Sequence, residues 1–265
     1  MIVCRSQAEI EKLRRVNRLV AEILAELCAM AAPGITTRDI DRIAEERVLA
    51  AGAVPAFKGY HGYPATVCAS INEQVVHGIP SDQPLADGDI VSLDMGAKLD
   101  GFFGDSAVTV GIGKVSAGAS DLLRVTEESL FHGIDAVKPG ARVSDIGAAV
   151  QRHVEAHGFS VVREFVGHGI GTSLHEEPQI ANYGPGGRGP RLAEGMVLAI
   201  EPMVNIGKAG VKVLSDGWTA VTKDGSLSAH FEHSVVVTAS GCEILTLREQ
   251  DVPRAGQFQP VAARQ

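Results

Sequence analysis

The sequence predicts an α+β domain built from two similar halves, each running helix, helix, strands. Three observations predict it. Four segments carry helical apolar spacing, several short apolar runs read as strands, and the two halves match at a nearly constant offset. Pro33-Gly34 is followed by Asp39-Ile40, Val48 and Gly52. Pro139-Gly140 is followed by Asp145-Ile146, Val154 and Gly158, at an offset of 106 residues. Leu85 to Asp94 (LADGDIVSLD) then resembles Leu192 to Glu201 (LAEGMVLAIE) at an offset of 107. Such matches predict two halves facing each other across a pseudo-two-fold axis.

The elements follow in order. Ser6 to Glu9 has capping-box spacing, and Ile10, Leu13, Val20, Leu24 and Leu27 continue a helix until Pro33-Gly34 stops it. A second helix is expected from Thr37 to Ala51, ending at Gly52. A third spans Ala119 to Val137, and a fourth Ser144 to His157, ending at Gly158. Strands are expected over Asp89–Met95, Gly104–Val110, Met196–Glu201 and His230–Thr238. Gly184 to Pro190 reads as a loop. The expected organisation is one domain over residues 1–250 and a mobile tail over Asp251–Gln265.

Composition narrows the function classes. The chain has 265 residues, 45% hydrophobic and 21% charged, so disordered, collagenous and coiled-coil classes are excluded. Its net charge of -8, with no dense basic run, argues against DNA or RNA as a partner. Cys4, Cys28, Cys68 and Cys242 form no Cys-x-x-Cys pair and read as reduced thiols. Charged residues occupy the place of a signal-peptide core, and Glu22 and Glu26 interrupt the most apolar stretch. The expectation is a soluble cytoplasmic protein with no membrane span.

The repeat matters because a carboxylate ends each copy, Asp94 in the first and Glu201 in the second. A lone buried carboxylate is costly, so such a residue has a partner or a metal. Asp100-Gly101 is a hairpin turn signal. Centring the turn there sets Asp94 opposite Ala107 and puts Asp105 on the same face. The two carboxylates become diagonal neighbours with α-carbons roughly 7–8 Å apart. Phe231 to Val237 echoes Gly104 to Val110, making Glu232 the counterpart of Asp105, after about twenty inserted residues. Four carboxylates aimed at one point would repel, and two divalent cations would balance their charge. The bland alternative is acidic residues scattered over the surface, which symmetric placement in apolar strands argues against.

Of nine histidines, His168 stands in Gly167-His168-Gly169-Ile170-Gly171, read as a flexible loop that lets backbone approach a ligand. It offers one nitrogen ligand to an otherwise oxygen site. His175 and His77 stand in similar turn contexts. His132, His153 and His157 fall on helices and read as solvent or core residues. No phosphate loop, Gly-x-Gly-x-x-Gly or Gly-x-Ser-x-Gly elbow is present.

These residues carry a family signature. Asp94, Asp105, His168, Glu201 and Glu232 resemble the five metal ligands of the methionine aminopeptidase family. So do Tyr60 to Pro64 (YHGYP), Ser70 to Glu73 (SINE), His77 to Pro80 (HGIP), Gly167 to Gly171, His175 to Pro178 (HEEP) and Ile200 to Met203 (IEPM). The resemblance covers residues 6 to 248 and is closest to the type I, bacterial form. It implies the pita-bread α+β fold with a central antiparallel sheet, which agrees with the repeat. It implies removal of the initiator methionine from peptides and nascent chains whose second residue is small.

The resemblance also implies roles. Asp94 chelates one metal, Asp105 and Glu232 bridge both, and His168 and Glu201 complete the other. A water between the ions is the nucleophile, Glu201 its general base, and the substrate amine reaches the metal held by Asp94. His175 stabilises the oxyanion, and His77 contacts the scissile amide nitrogen. Phe57, Tyr60, Tyr63, Cys68 and Trp218 receive the methionine side chain, with His77 and His175 at the edge of that pocket. Val76 and Leu174 stand where Cys and Phe often precede the two histidines, which alters the pocket's shape. Asn72, Gln74 and Ser228 match a Na or K site. The divalent ions are Co, Mn, Fe or Zn. The family mostly acts as a monomer, with transient ribosome contact. The alternatives are an Xaa-Pro peptidase of the same fold and a non-catalytic peptide-binding relative. The first usually carries an extra N-terminal domain, for which a first helix beginning within ten residues leaves no room.

Overall fold

A computed structural model describes residues 1–247. The expected tail over Asp251–Gln265 lies outside the described residues. The first half contains α1 (Gln7–Met30), α2 (Thr37–Ala50), β1 (Val54–Pro55), β2 (Val67–Ile71), β3 (Gln74–Val76), β4 (Ile90–Leu99) and β5 (Phe102–Gly111). The second contains α3 (Ala117–Asp135), α4 (Val143–Ala156), β6 (Ser160–Val161), β7 (Gly167–Gly169), β8 (Glu176–Ile180) and β9 (Val197–Ile200). It continues with β10 (Met203–Asn205), β11 (Val211–Val213), β12 (Ala220–Thr222), β13 (Ser228–His230), β14 (His233–Val237) and β15 (Cys242–Ile244). No helix among the described residues is long and apolar enough to cross a membrane.

The helices start where the sequence expects. Ser6 and Glu9 form a capping box at α1, and Thr36 and Asp39 form one at α2. Asp145, the repeat partner of Asp39, accepts from the Arg142 backbone N–H at 2.7 Å and so caps α4 in the same way. The internal repeat is also a repeat of hydrogen bonds. Gly34 donates to Leu85 O and Gly140 to Leu192 O, both at 2.9 Å. Leu85 donates back to Ile35 O and Leu192 to Ala141 O, both at 2.8 Å. Gly88 donates to Ile112 O and Gly195 to Val237 O. Each Pro-Gly turn therefore ties its second helix to the start of the strand that carries a candidate carboxylate; Asp94 sits within β4, which runs on to Leu99, whereas Glu201 follows the end of β9.

Every strand pairing among the described residues is antiparallel, as expected. A four-stranded sheet joins β1, β4 and β2, with β5 on β4, and a five-stranded sheet runs β15-β14-β9-β7-β8. A bridge between Ala107 and Glu232 connects these two sheets. β4 and β5 pair about the Asp100-Gly101 turn with Asp94 opposite Ala107, the expected register. α1 packs across β4 and β5, and α3 packs on α4. The buried core is continuous from Leu13, Leu24 and Leu27 of α1 through Leu93 and Met95 to Ile146, Leu198 and Ile200.

Two expectations change. His230–Thr238 is not one strand. β13 ends at His230 and β14 begins at His233, so Glu232 sits in the break. The inserted residues of the second half lie between β10 and β13 and include β11 and β12. These two strands make a separate sheet with β3 of the first half. His168 is not on a loop. Its Gly-His-Gly segment is β7, buried between β8 and β9. A Cβ at Gly167 would collide with the Ala199 carbonyl, and one at Gly169 with the Glu177 carbonyl. The glycines thus serve close strand packing rather than mobility.

Candidate metal centre

Asp94 comes from β4, Asp105 from β5, His168 from β7, Glu201 from the end of β9, and Glu232 from the break before β14. All five line one cavity of about 260 Å3. Ligating atoms of Asp105, His168 and Glu232 lie within 4.8 Å of one another. His168 Nε2 is 3.4 Å from Glu201 Oε1.

Two reciprocal bonds hold Asp105 and Glu232 together across the halves. The Ser106 hydroxyl donates to Glu232 O at 2.8 Å, and the Ser234 hydroxyl donates to Asp105 O at 2.9 Å. Glu232 N–H donates to Ala107 O at 2.8 Å. From α1, Asn17 Oδ1 accepts from Asp105 N–H at 3.3 Å.

Burial and mutual repulsion push Asp105, Glu201 and Glu232 well above the ordinary carboxylate range. Burial pushes Asp94 up to about 7. Asp94 Oδ1, Asp105 Oδ1 and Glu232 Oε1 are buried without a hydrogen-bond partner. Among the described residues, no Lys or Arg lines the cavity. Orphaned oxygens of this kind are costly unless a cation takes them. The donor set, four carboxylates and one imidazole, fits divalent transition ions. His168 Nδ1 lies 3.0 Å from Gly169 O. A carbonyl only accepts, so the proton is on Nδ1 and Nε2 presents its lone pair to the carboxylates. Burial holds His168 down to about 3, keeping that ring neutral.

The metal-free chain should therefore lose stability as pH rises above about 6.5. Carboxylates with raised pKa leave the folded state holding more protons than the unfolded one, so their contribution fades as pH climbs through the raised values. The buried histidines act in the opposite direction, but only below their ordinary value near 6.5. Calorimetry in chelator should show Tm falling between pH 6.5 and 8, and excess divalent metal should remove that fall. A flat metal-free profile would contradict the charge reading.

The remaining expected residues form the cavity's walls. Phe57, Tyr60, Tyr63, Cys68, His77, His175 and Trp218 all line it. Trp218 comes from the turn between β11 and β12 and meets Tyr63 edge-on at 5.1 Å. The His77 ring meets Phe165 at 5.3 Å and Trp218 at 6.4 Å. Its backbone is left-handed, with φ 61. Burial lowers His77 to about 4. His175 Nδ1 lies 2.8 Å from the Tyr60 hydroxyl, and its ring stands edge-on to His168 at 4.3 Å. Leu174 lines the cavity, whereas Val76 is buried in β3.

Asn72, Gln74 and Ser228 lie outside this cavity. Asn72 Nδ2 donates to Asp89 and its Oδ1 accepts from Ile90 N–H, while Gln74 Oε1 accepts from Ile71 N–H. Ser228 N–H donates to Asn72 O at 2.9 Å. Sequence reasoning missed His61, which lines the cavity against Tyr60, and His230. His230 Nε2 is buried, has no hydrogen-bond partner and lies 3.8 Å from Glu201 Oε2. Its spacing of two residues from Glu232 was the available signal.

Comparison with known proteins adds the family. The description "Metallopeptidase family M24" matches residues 11–239. The chain belongs to metallopeptidase family M24. Within it, the chain is 52% identical to Methionine aminopeptidase 1 of Bacillus subtilis over 246 residues, covering 93% of this chain and 99% of that one. It superposes with a TM-score of 0.92 on methionine aminopeptidase from Rickettsia prowazekii, at 42% identity, covering 93% of this chain and 100% of that one. The Thermotoga maritima methionine aminopeptidase gives the same TM-score at 47% identity, covering 94% and 100%. The chain is therefore a metallopeptidase by family.

Proposed function

We infer that this M24 chain is a methionine aminopeptidase, which hydrolyses the first peptide bond of chains beginning with methionine. The observation that carries the reading is a buried set of carboxylates with orphaned oxygens at the floor of an apolar, aromatic-walled cavity. Such walls suit a polarizable thioether. Near half identity to the Bacillus subtilis methionine aminopeptidase supports this over an Xaa-Pro peptidase. Retention of all five candidate ligands argues against a non-catalytic module.

Asp94, Asp105, His168, Glu201 and Glu232 would hold two divalent ions, Asp105 and Glu232 lying closest to His168. Bound there, the ions supply Lewis-acid polarisation and lower the pKa of water toward neutrality. Glu201, whose carboxylate lines the cavity beside His168 Nε2, takes the proton from the attacking water. His175 donates from Nε2 to the developing oxyanion. The Tyr60 hydroxyl, 2.8 Å from Nδ1, holds the ring in place, and in the tautomer this role requires it donates to Nδ1. His77, clamped between Phe165 and Trp218, faces the scissile amide nitrogen. Phe57, Tyr63, Cys68 and Trp218 enclose the methionine side chain and exclude water. Asn72, Gln74 and Ser228 stand as a monovalent-cation site on the sequence resemblance alone.

Peptides varied at their second residue test this reading. Met-Gly-Ser and Met-Ala-Ser should be good substrates. Met-Ile-Ser, Met-Lys-Ser and Ala-Pro-Ser should have kcat/KM lower by about 10²-fold or more, the scale of strong steric rejection. Efficient turnover of Ala-Pro-Ser would favour the Xaa-Pro reading. Efficient turnover of Met-Ile-Ser would remove the small-residue filter.

A further inference from the structure

A second group of ligating side chains lies away from the cavity, on the outer helices. α3 carries Glu128 and His132, four residues apart. His153 near the end of α4 and His157 at its C-cap are also four apart. Each pair therefore shares one helix face, and the packed helices bring the pairs together. Ligating atoms of Glu128, His153 and His157 all lie within 4.8 Å of one another. His153 Nε2 is 3.0 Å from Glu128 Oε2. The His153 ring is 4.4 Å from that of His132 and 4.5 Å from that of His157.

Several details favour a ligand here over a plain solvated face. His157 Nδ1 lies 2.8 Å from the His153 carbonyl, which only accepts, so Nδ1 bears the proton and Nε2 keeps a free lone pair. Burial and the neighbouring imidazoles hold His153 below the ordinary histidine value, so it is neutral at pH 7, as a metal ligand must be. The site is exposed on the His157 side, so an ion can enter. Arg124 competes, because its Nη1 reaches both Glu128 oxygens at 2.9 and 3.1 Å. An incoming cation has to displace one of those bonds. Tetrahedral ligation at about 2.0–2.2 Å also requires the ligands to close in slightly, which the exposed His157 can do by rotating.

We propose that Glu128, His153 and His157 form a second metal site, across the α3–α4 pair, for a divalent transition ion such as Zn2+, with His132 at its edge. Two imidazoles and one carboxylate are a donor set for Zn2+, Cu2+ or Ni2+ rather than Mg2+ or Ca2+. Bound there, the ion would link the two helices outside the catalytic cavity. This inference does not rest on the aminopeptidase reading.

The test is equilibrium dialysis of the full chain against buffered Zn2+, comparing wild type with His153→Ala/His157→Ala. Uptake at the central carboxylates is common to both and cancels. Wild type should hold one more zinc per chain, and the two should hydrolyse Met-Ala-Ser equally. The single variants His157→Ala, at an exposed position, and Glu128→Gln, which keeps the side chain's shape, should also lose that ion, which keeps the test valid if the double variant fails to fold. The extra ion should persist in Glu232→Ala, in which the central set is broken. Equal zinc uptake by wild type and His157→Ala would overturn the proposal, as would disappearance of the extra ion in Glu232→Ala.

Discussion

Glu232→Ala is expected to lower Met-Ala-Ser hydrolysis by about 10³-fold or more at limiting metal, with the fold retained. Glu232 is buried, one of its oxygens is unpartnered, and it stands against Asp105 and His168. Removing it takes away an oxygen ligand of the proposed centre. Metal catalysis supplies several kcal/mol of barrier reduction, and about 4 kcal/mol corresponds to 10³ in rate. A control separates this loss from misfolding. In chelator at pH 8, Glu232→Gln should be more stable than wild type, because it removes one of four crowded carboxylates without leaving a cavity. One unit of pKa shift is worth about 1.4 kcal/mol, so the gain should be visible in Tm. Near-normal turnover of Glu232→Ala at limiting metal would refute the ligand assignment. A metal-free Glu232→Gln less stable than wild type would refute the repulsion argument.

His175→Ala is expected to lower kcat by about 10²–10³-fold, the scale for loss of one oxyanion donor. Its ring is held from one side by the Tyr60 hydroxyl and from the other by the His168 ring, so it is oriented before substrate arrives. Its carrier loop is also pinned. Glu176 Oε1 accepts from Thr172 and Ser173 backbone N–H groups, and Glu176 Oε2 accepts from the buried Arg5 guanidinium. Alanine at 175 therefore deletes a donor without releasing the loop. KM should change much less than kcat. A change in KM alone would reassign His175 to substrate binding.

Much of this architecture was legible because local chemistry and long-range placement agree. Asp100-Gly101 can only turn a hairpin one way, and that turn fixes Asp94 opposite Ala107 and puts Asp105 on the same face. The repeated Pro-Gly, Asp-Ile and Leu positions were legible because each makes the same backbone bond in both halves. Other features lay beyond local signals. Gly-His-Gly reads as a loop from composition, yet its glycines are required by the carbonyls of neighbouring strands, which are set by tertiary packing. The break at Phe231-Glu232 interrupts a run with strand-like spacing, and there Glu232 bridges to Ala107 of the other half, a contact no local signal announces. His230 was passed over because its proximity to Glu201 depends on that same break. His132, His153 and His157 read as solvent or core residues, since nothing in one helix announces which face meets the other.

The floor of the cavity and its walls differ in symmetry. Each half contributes two carboxylates to the floor, Asp94 and Asp105 from one and Glu201 and Glu232 from the other. The walls do not repeat. Phe57, Tyr60, Tyr63, Cys68 and His77 come from the first half, while His175 and the inserted strands bearing Trp218 come from the second. A symmetric charge cage on its own could not distinguish the leading end of a chain from its trailing end. The unmatched walls give the cavity a direction, so an extended backbone lying across the same four oxygens would meet different surroundings at its two ends.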